Sequence, residues 1–192
     1  MSISLSKGGN ISLSKEVPGI KQIRIGLGWD DRVTTGEDFD LDASVFMINK
    51  DGKCRTDKDF IFYNNLKSTD GSVEHTGDNK TGEGDGDDEV IKVDLSMVPA
   101  DVDKIAVTVT IHDSATRGQN FGQVENAFAR VINETNNQEI VRYDLTEDYS
   151  VEDSMIFCEL YRNNDEWKFR ATGQGFSGGL GDLASKYGLS AS

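Results

Sequence analysis

The chain has 192 residues, of which 34 are acidic and 20 basic, for a net charge of −14. That balance excludes DNA or RNA as a direct ligand, because nucleic-acid affinity rests on Lys and Arg neutralising phosphates. Hydrophobic residues make up 36%, which suits one folded domain over 1–192 and not a disordered chain.

An anionic membrane surface is disfavoured as well, unless a bound cation inverts the local field. The first residues lack a basic segment followed by an apolar one, and nowhere do 18 apolar residues run together. Neither a secretory signal nor a membrane-spanning segment is expected, and the expected compartment is the cytoplasm. Cys54 and Cys158 stand far apart, without the paired spacing of a zinc site or a disulfide framework. They are expected as small core residues or free thiols.

Along the chain, Ser2-Ile3-Ser4-Leu5-Ser6-Lys7 and Asn10-Ile11-Ser12-Leu13-Ser14-Lys15 flank Gly8-Gly9. Alternation on both sides of a Gly-Gly turn predicts a β-hairpin. Ile23, Ile25 and Leu27 alternate next. Short apolar or β-branched runs at 43–48, 60–63, 90–95, 105–111, 128–132, 139–143, 155–161 and 166–170 read as strands. Asn163-Asn164-Asp165 predicts a tight turn between the last two. Helical patterning is confined to 180–187, with Gly188 behind it. The fold class is therefore all-β: an antiparallel sandwich of about ten short strands with long acidic loops and a minor helix.

The acidic residues are concentrated. Residues 30–42 hold six acids and one base, and residues 70–89 hold eight acids and one base. Together these two runs account for nearly all of the excess charge. A charge run is usually a solvated loop, but three features oppose that here. Asp38, Asp40 and Asp42 alternate with Phe39 and Leu41, so an extended strand projects all three carboxylates from one face. Glycines 77, 82, 84 and 86 interleave with acids, which lets the backbone bring carboxylates and carbonyls to one point. Both runs also abut strong apolar strands. Anchored, converging carboxylates call for a cation, and oxygen donors at flexible geometry select calcium over zinc or copper. Fourteen acids suffice for two ions. An EF-hand is excluded, since Ala43 replaces its turn glycine and Asn49 its bidentate Glu.

Asp38-Phe39-Asp40-Leu41-Asp42-Ala43-Ser44, Phe62-Tyr63-Asn64-Asn65 and residues 77–89 resemble the tellurium-resistance TerD family. So do Arg117-Gly118-Gln119-Asn120-Phe121-Gly122-Gln123, Glu159-Leu160-Tyr161-Arg162 and Glu166-Trp167-Lys168-Phe169-Arg170. The similarity runs in order along essentially the whole chain. It implies a cytoplasmic bacterial β-sandwich that binds calcium in a tellurite-resistance and stress-response system. The metal motif implied by the resemblance falls on Asp40, Asp42, Asp78, Asn79, Gly82, Gly84, Asp85, Asp87, Asp88 and Glu89. Asp31, Asp38 and Asn65 are further candidates. The implied partners are other proteins of that system, with the inner membrane face as a second docking place.

Other chemistry is weaker. Gly175-Phe176-Ser177-Gly178-Gly179 fits the nucleophile-elbow pattern, but its acid and His must follow, and His75 and His112 both precede it. A glycine-rich turn after the last strand is the expectation. Gly82-Glu83-Gly84-Asp85-Gly86 lacks the Gly-Lys-Ser/Thr of a phosphate cradle. His112 and Asp113 are adjacent, so an extended backbone points them apart. Crowded carboxylates could serve a metal-dependent hydrolase, which is the alternative. With no recognisable acid–base constellation, a calcium-loaded interaction module and no enzyme is the expectation.

Overall fold

The computed structural model describes residues 2–31, 41–78, 89–111, 124–145, 153–177 and 179–189, with backbone alone at 30, 31, 41, 77, 78 and 124–126. In chain order the strands begin with β1 (Ile3–Leu5), β2 (Asn10–Ser12), β3 (Gln22–Asp31), β4 (Leu41–Ile48) and β5 (Phe60–Ile61). There follow β6 (Val73–Asp78), β7 (Glu89–Asp94), β8 (Lys104–Ile111), β9 (Val124–Asn133) and β10 (Gln138–Asp144). The last are β11 (Ser154–Asn163), β12 (Glu166–Arg170) and β13 (Gln174–Phe176). Helices α1 (Leu13–Glu16) and α2 (Gly179–Lys186) and a 3-10 turn at Asp57–Asp59 complete the described elements.

Two sheets form. The first runs β1-β10-β9-β3-β7-β6, and the second β2-β12-β11-β8-β4-β5, with β13 added beside β11. Strand alternation sends Ile23, Ile25 and Leu27 of β3 and Val45 and Met47 of β4 into one shared cluster with Val107 and Phe157. Each such fully buried aliphatic chain contributes about 1.5–3 kcal/mol relative to exposure. The second sheet is buried on its other face too. There Leu183 and Ala184 of α2, with Tyr187 just after it, lie over Phe46, Ile48, Ala106 and Ile156. This double burial is why 45–48 of β4 reads as a continuous apolar run and why β8 carries buried Thr108 and Thr110 where a one-sided strand would expose charge.

The N-terminal hairpin does not form. β1 pairs in parallel with β10 of the first sheet, and β2 pairs antiparallel with β12 of the second. The Gly8-Gly9 turn is present, with Gly8 at φ +85°, but it carries the chain from one sheet to the other. Gly8 N–H donates to the Ala171 carbonyl at 2.6 Å, and Ala171 N–H donates to the Gly9 carbonyl at 2.9 Å. An isolated three-residue hairpin would bury little, whereas each half here covers a sheet edge that would otherwise be open. Two strands are additions to the sequence reading: β6 lies inside the second acidic run, and β13 lies where a turn is expected. The turn at Asn164, φ +58°, joins β11 to β12 as expected. Cys158 is buried and Cys54 half-buried, and both are free thiols. Burial, reinforced by Asp59, pushes the Cys54 thiol up to about 12, so neither cysteine is set up as a reactive thiolate.

Candidate metal centre

Antiparallel pairing gathers the flanks of both acidic runs at one end of the molecule. Asp31 stands opposite Val124, Asp78 opposite Glu89, Leu41 opposite Ile111, and Ser154 opposite Thr110. Residues 32–40 and 79–88 join strand ends in this group. Asp38, Asp40, Asn79, Gly82, Gly84, Asp85, Asp87 and Asp88 lie outside the described residues. What the structure places is the frame on which they are mounted.

Two register shifts mark that frame. Between His75 and Asp78, β6 carries one residue more than β7, and β9 gains one against β3 near Asp30. Such bulges re-aim strand ends, and the first brings Asp78 level with Glu89. Asp31 and Asp78 are placed by backbone only. Asp42 is half-buried and begins the described part of β4 next to Ala43.

Glu89 is the described candidate tied most firmly into the fold. It is 3% exposed, on the same inward face of β7 as Ile91 and Val93. Its Oε2 accepts from the Ala43 N–H of the opposite sheet at 2.7 Å and lies 3.2 Å from His75 Nε2. His75 is also 3% exposed. A carboxylate has no proton to give, so His75 donates through Nε2–H. The two anchors, Ala43 just after the first run and Glu89 at the end of the second, are therefore in direct contact.

Asn65 lies in the segment that leads from β5 to β6. Its Nδ2 donates to the Phe60 carbonyl at 2.8 Å, which fixes the amide and leaves Oδ1 as its acceptor atom. Arg55, which precedes β5, reaches the same segment at Asp70, 3.8 Å from its Nη2. That guanidinium meets Asp59 through Nε and Nη2, each at 2.9 Å, and Asp101 through Nη1 at 2.7 Å. Asp70, part of the second acidic run, serves the fold: it accepts from Ser68 Oγ at 2.9 Å, from Ser72 N–H at 2.8 Å and from Ser72 Oγ.

Among the described residues, no group of three or more His, Cys, Asp or Glu side chains is arranged to hold a metal. The donor chemistry of the two runs, carboxylates and amides with glycine carbonyls, fits a hard cation. Ser177 is exposed between β13 and α2, while His75 is buried against Glu89. His112 and Asp113 lie outside the described residues. No helix among the described residues is long and apolar enough to cross a membrane.

Comparison with known proteins places the whole chain. Residues 1–187 match the TerD domain. Tellurium resistance protein TerD of Serratia marcescens is 62% identical over 192 residues, covering 100% of both chains. General stress protein 16U of Bacillus subtilis is 55% identical over 98% of each. A crystal structure of a homologue of telluride resistance protein TerD from Streptomyces coelicolor shares the fold. It has a TM-score of 0.69 and 21% identity, over 90% of this chain and 100% of that one. The chain belongs to the TerD family.

Proposed function

We propose that the protein is a calcium-binding module of a bacterial tellurium-resistance and stress-response system, acting in the cytoplasm. Calcium-loaded, it presents the acidic end as a surface for other proteins of that system. The names of its relatives support the setting, since they include tellurium-resistance and general stress proteins. The single observation that carries the site is the 2.7 Å bond between Glu89 Oε2 and the Ala43 N–H. It joins the strand that follows the first acidic run to the strand that follows the second, so both runs issue from one place.

Carboxylates that converged there would repel one another until a cation arrived. Two calcium ions would take oxygens from Asp31, Asp38, Asp40 and Asp42 on one side and from Asp78, Asn79, Asp85, Asp87 and Asp88 on the other, with Asn65 beside them. Binding, not catalysis, is the activity assigned. His75, the one described histidine, already donates to Glu89, and the acid–His order required by the elbow pattern at Ser177 is absent from the sequence.

The test is a calorimetric calcium titration of the intact chain with Asp40→Asn, Asp87→Asn and Glu74→Gln. The first two remove a charge from a shared shell and are expected to weaken binding by about tenfold or more, while Glu74→Gln leaves it unchanged. Equal behaviour of all three would reduce the runs to solvated loops. Capture of partner proteins with calcium, lost with chelator, tests the module role.

A further inference from the structure

Resting on the calcium reading above, we infer that Glu89 is a positioning residue that latches the two sheets together beneath the acidic runs, not a bidentate ligand of the cation. The resemblance to the family motif puts Glu89 among the ligands, and its surroundings argue otherwise.

Glu89 follows the inward set of β7, with Ile91 and Val93, and is nearly as buried as they are. Its Oε2 already holds two N–H donors, one from the backbone of Ala43 and one from His75. The Ala43 N–H needs that acceptor. β5 pairs with β4 only at Val45 and Phe46, so among the described residues no strand on that side of β4 reaches Ala43. The carboxylate stands where a strand carbonyl would have been.

Bidentate coordination would pull Oε2 away from both donors in a dry setting. Left in place, it fixes the relative position of the two runs. Ala43 follows Asp42 directly, and Glu89 follows residues 79–88 directly. His75 holds the carboxylate from a third strand, three residues before Asp78. Pre-organisation of this kind raises affinity without touching the ligand.

Two conservative changes separate the roles. Glu89→Gln removes the charge but keeps a carbonyl that can accept from both donors, whereas Glu89→Met keeps the volume and loses the acceptor. The readouts are amide exchange at Ala43 in the calcium-free chain, against Val107 as reference, and calcium affinity by calorimetry. A latch predicts that Glu89→Gln stays within about threefold of wild type on both readouts. Glu89→Met should speed Ala43 exchange by about tenfold with Val107 little changed, and should weaken calcium about tenfold through lost pre-organisation.

Unchanged Ala43 exchange in Glu89→Met would overturn the latch. So would a Glu89→Gln chain that keeps Ala43 protected yet loses calcium affinity tenfold, the mark of a ligand. Should Glu89→Met not fold, the Gln variant decides between ligand and latch by itself. If wild type binds no calcium, the calcium reading falls, and Ala43 exchange still decides the latch.

Discussion

Arg55→Met removes the cation that ties Asp59, just before β5, to Asp70 and Asp101. Asp59 is 3% exposed and receives three N–H groups from this one residue: the backbone N–H at 2.8 Å, Nε at 2.9 Å and Nη2 at 2.9 Å. After substitution only the backbone donor remains, and a buried carboxylate loses its counter-charge. Breaking a buried pair in this way costs about 3–5 kcal/mol. The Arg55 side chain is 23% exposed, so water recovers part of that, and about 3 kcal/mol is expected. The contact to Asp101 adds little, because that side chain is 67% exposed.

For a chain of this size, about 3 kcal/mol lowers Tm by about 6–12 °C. Urea unfolding read by circular dichroism measures it, with an unchanged m-value. Asp59→Leu alone should be similarly harmful, and the double variant should recover most of the loss. It would retain about 1 kcal/mol for the Arg55 N–H left without its acceptor. A loss under about 0.5 kcal/mol for Arg55→Met, or strictly additive single losses, would refute the reasoning.

Acid stability carries a second expectation. Burial alone would raise the carboxyls of Asp70 and Asp94, but hydrogen bonds from Ser72 and Ser68, and from Ser96 and Gln22, outweigh it and hold both below the usual range. Their contribution is therefore present above the ordinary carboxyl pKa of about 3.9 and is lost as pH falls through the lower folded values. Ser72→Ala with Ser96→Ala should cost about 1–2 kcal/mol at neutral pH and flatten the loss seen below about pH 4 in denaturant melts. An unaltered pH profile would contradict this. Leu183→Ala uncovers the outer face of the second sheet and should cost about 2–4 kcal/mol in thermal melts, with the calcium response intact. Ser177→Ala should change stability by less than about 0.5 kcal/mol, and stoichiometric labelling of Ser177 by a fluorophosphonate would overturn its reading as a turn residue.

Strands buried on both faces were the easiest to read. Ile105, Val107 and Val109 face the shared core, and Ala106 faces the cluster under α2, so the run is apolar or β-branched whichever way it points. The N-terminal hairpin misled because Gly8-Gly9 is a local signal, while the partners of β1 and β2 are edges more than 120 residues away. β6 was hidden by Glu74, Gly77 and Asp78, since acids and glycines are poor strand formers. The inward setting of Glu89 had a signal that was available: it continues the 89, 91, 93 alternation of its strand, with exposed Lys92 on the opposite face. Asp70 and Glu74 look like equivalent neutral controls in sequence. The serines around Asp70 make it structural, and only Glu74 remains a clean control. The meeting of Arg55 with Asp59 is local, four residues apart, but nothing in the order of residues announces that Asp101 would join it from 46 positions away.

The central claim is the calcium site, and the thermal stability of the intact chain with and without calcium tests it most directly. A ligand that binds only the folded state stabilises it by RT ln(1 + [L]/Kd), about 2.7 kcal/mol at a hundredfold excess over Kd. That corresponds to a rise in Tm of about 5–10 °C. Calcium should produce this rise, magnesium at the same concentration much less, and sodium chloride at matched ionic strength almost none, because screening does not replace coordination. An equal rise with magnesium or with salt alone, or no rise with calcium, would contradict the account.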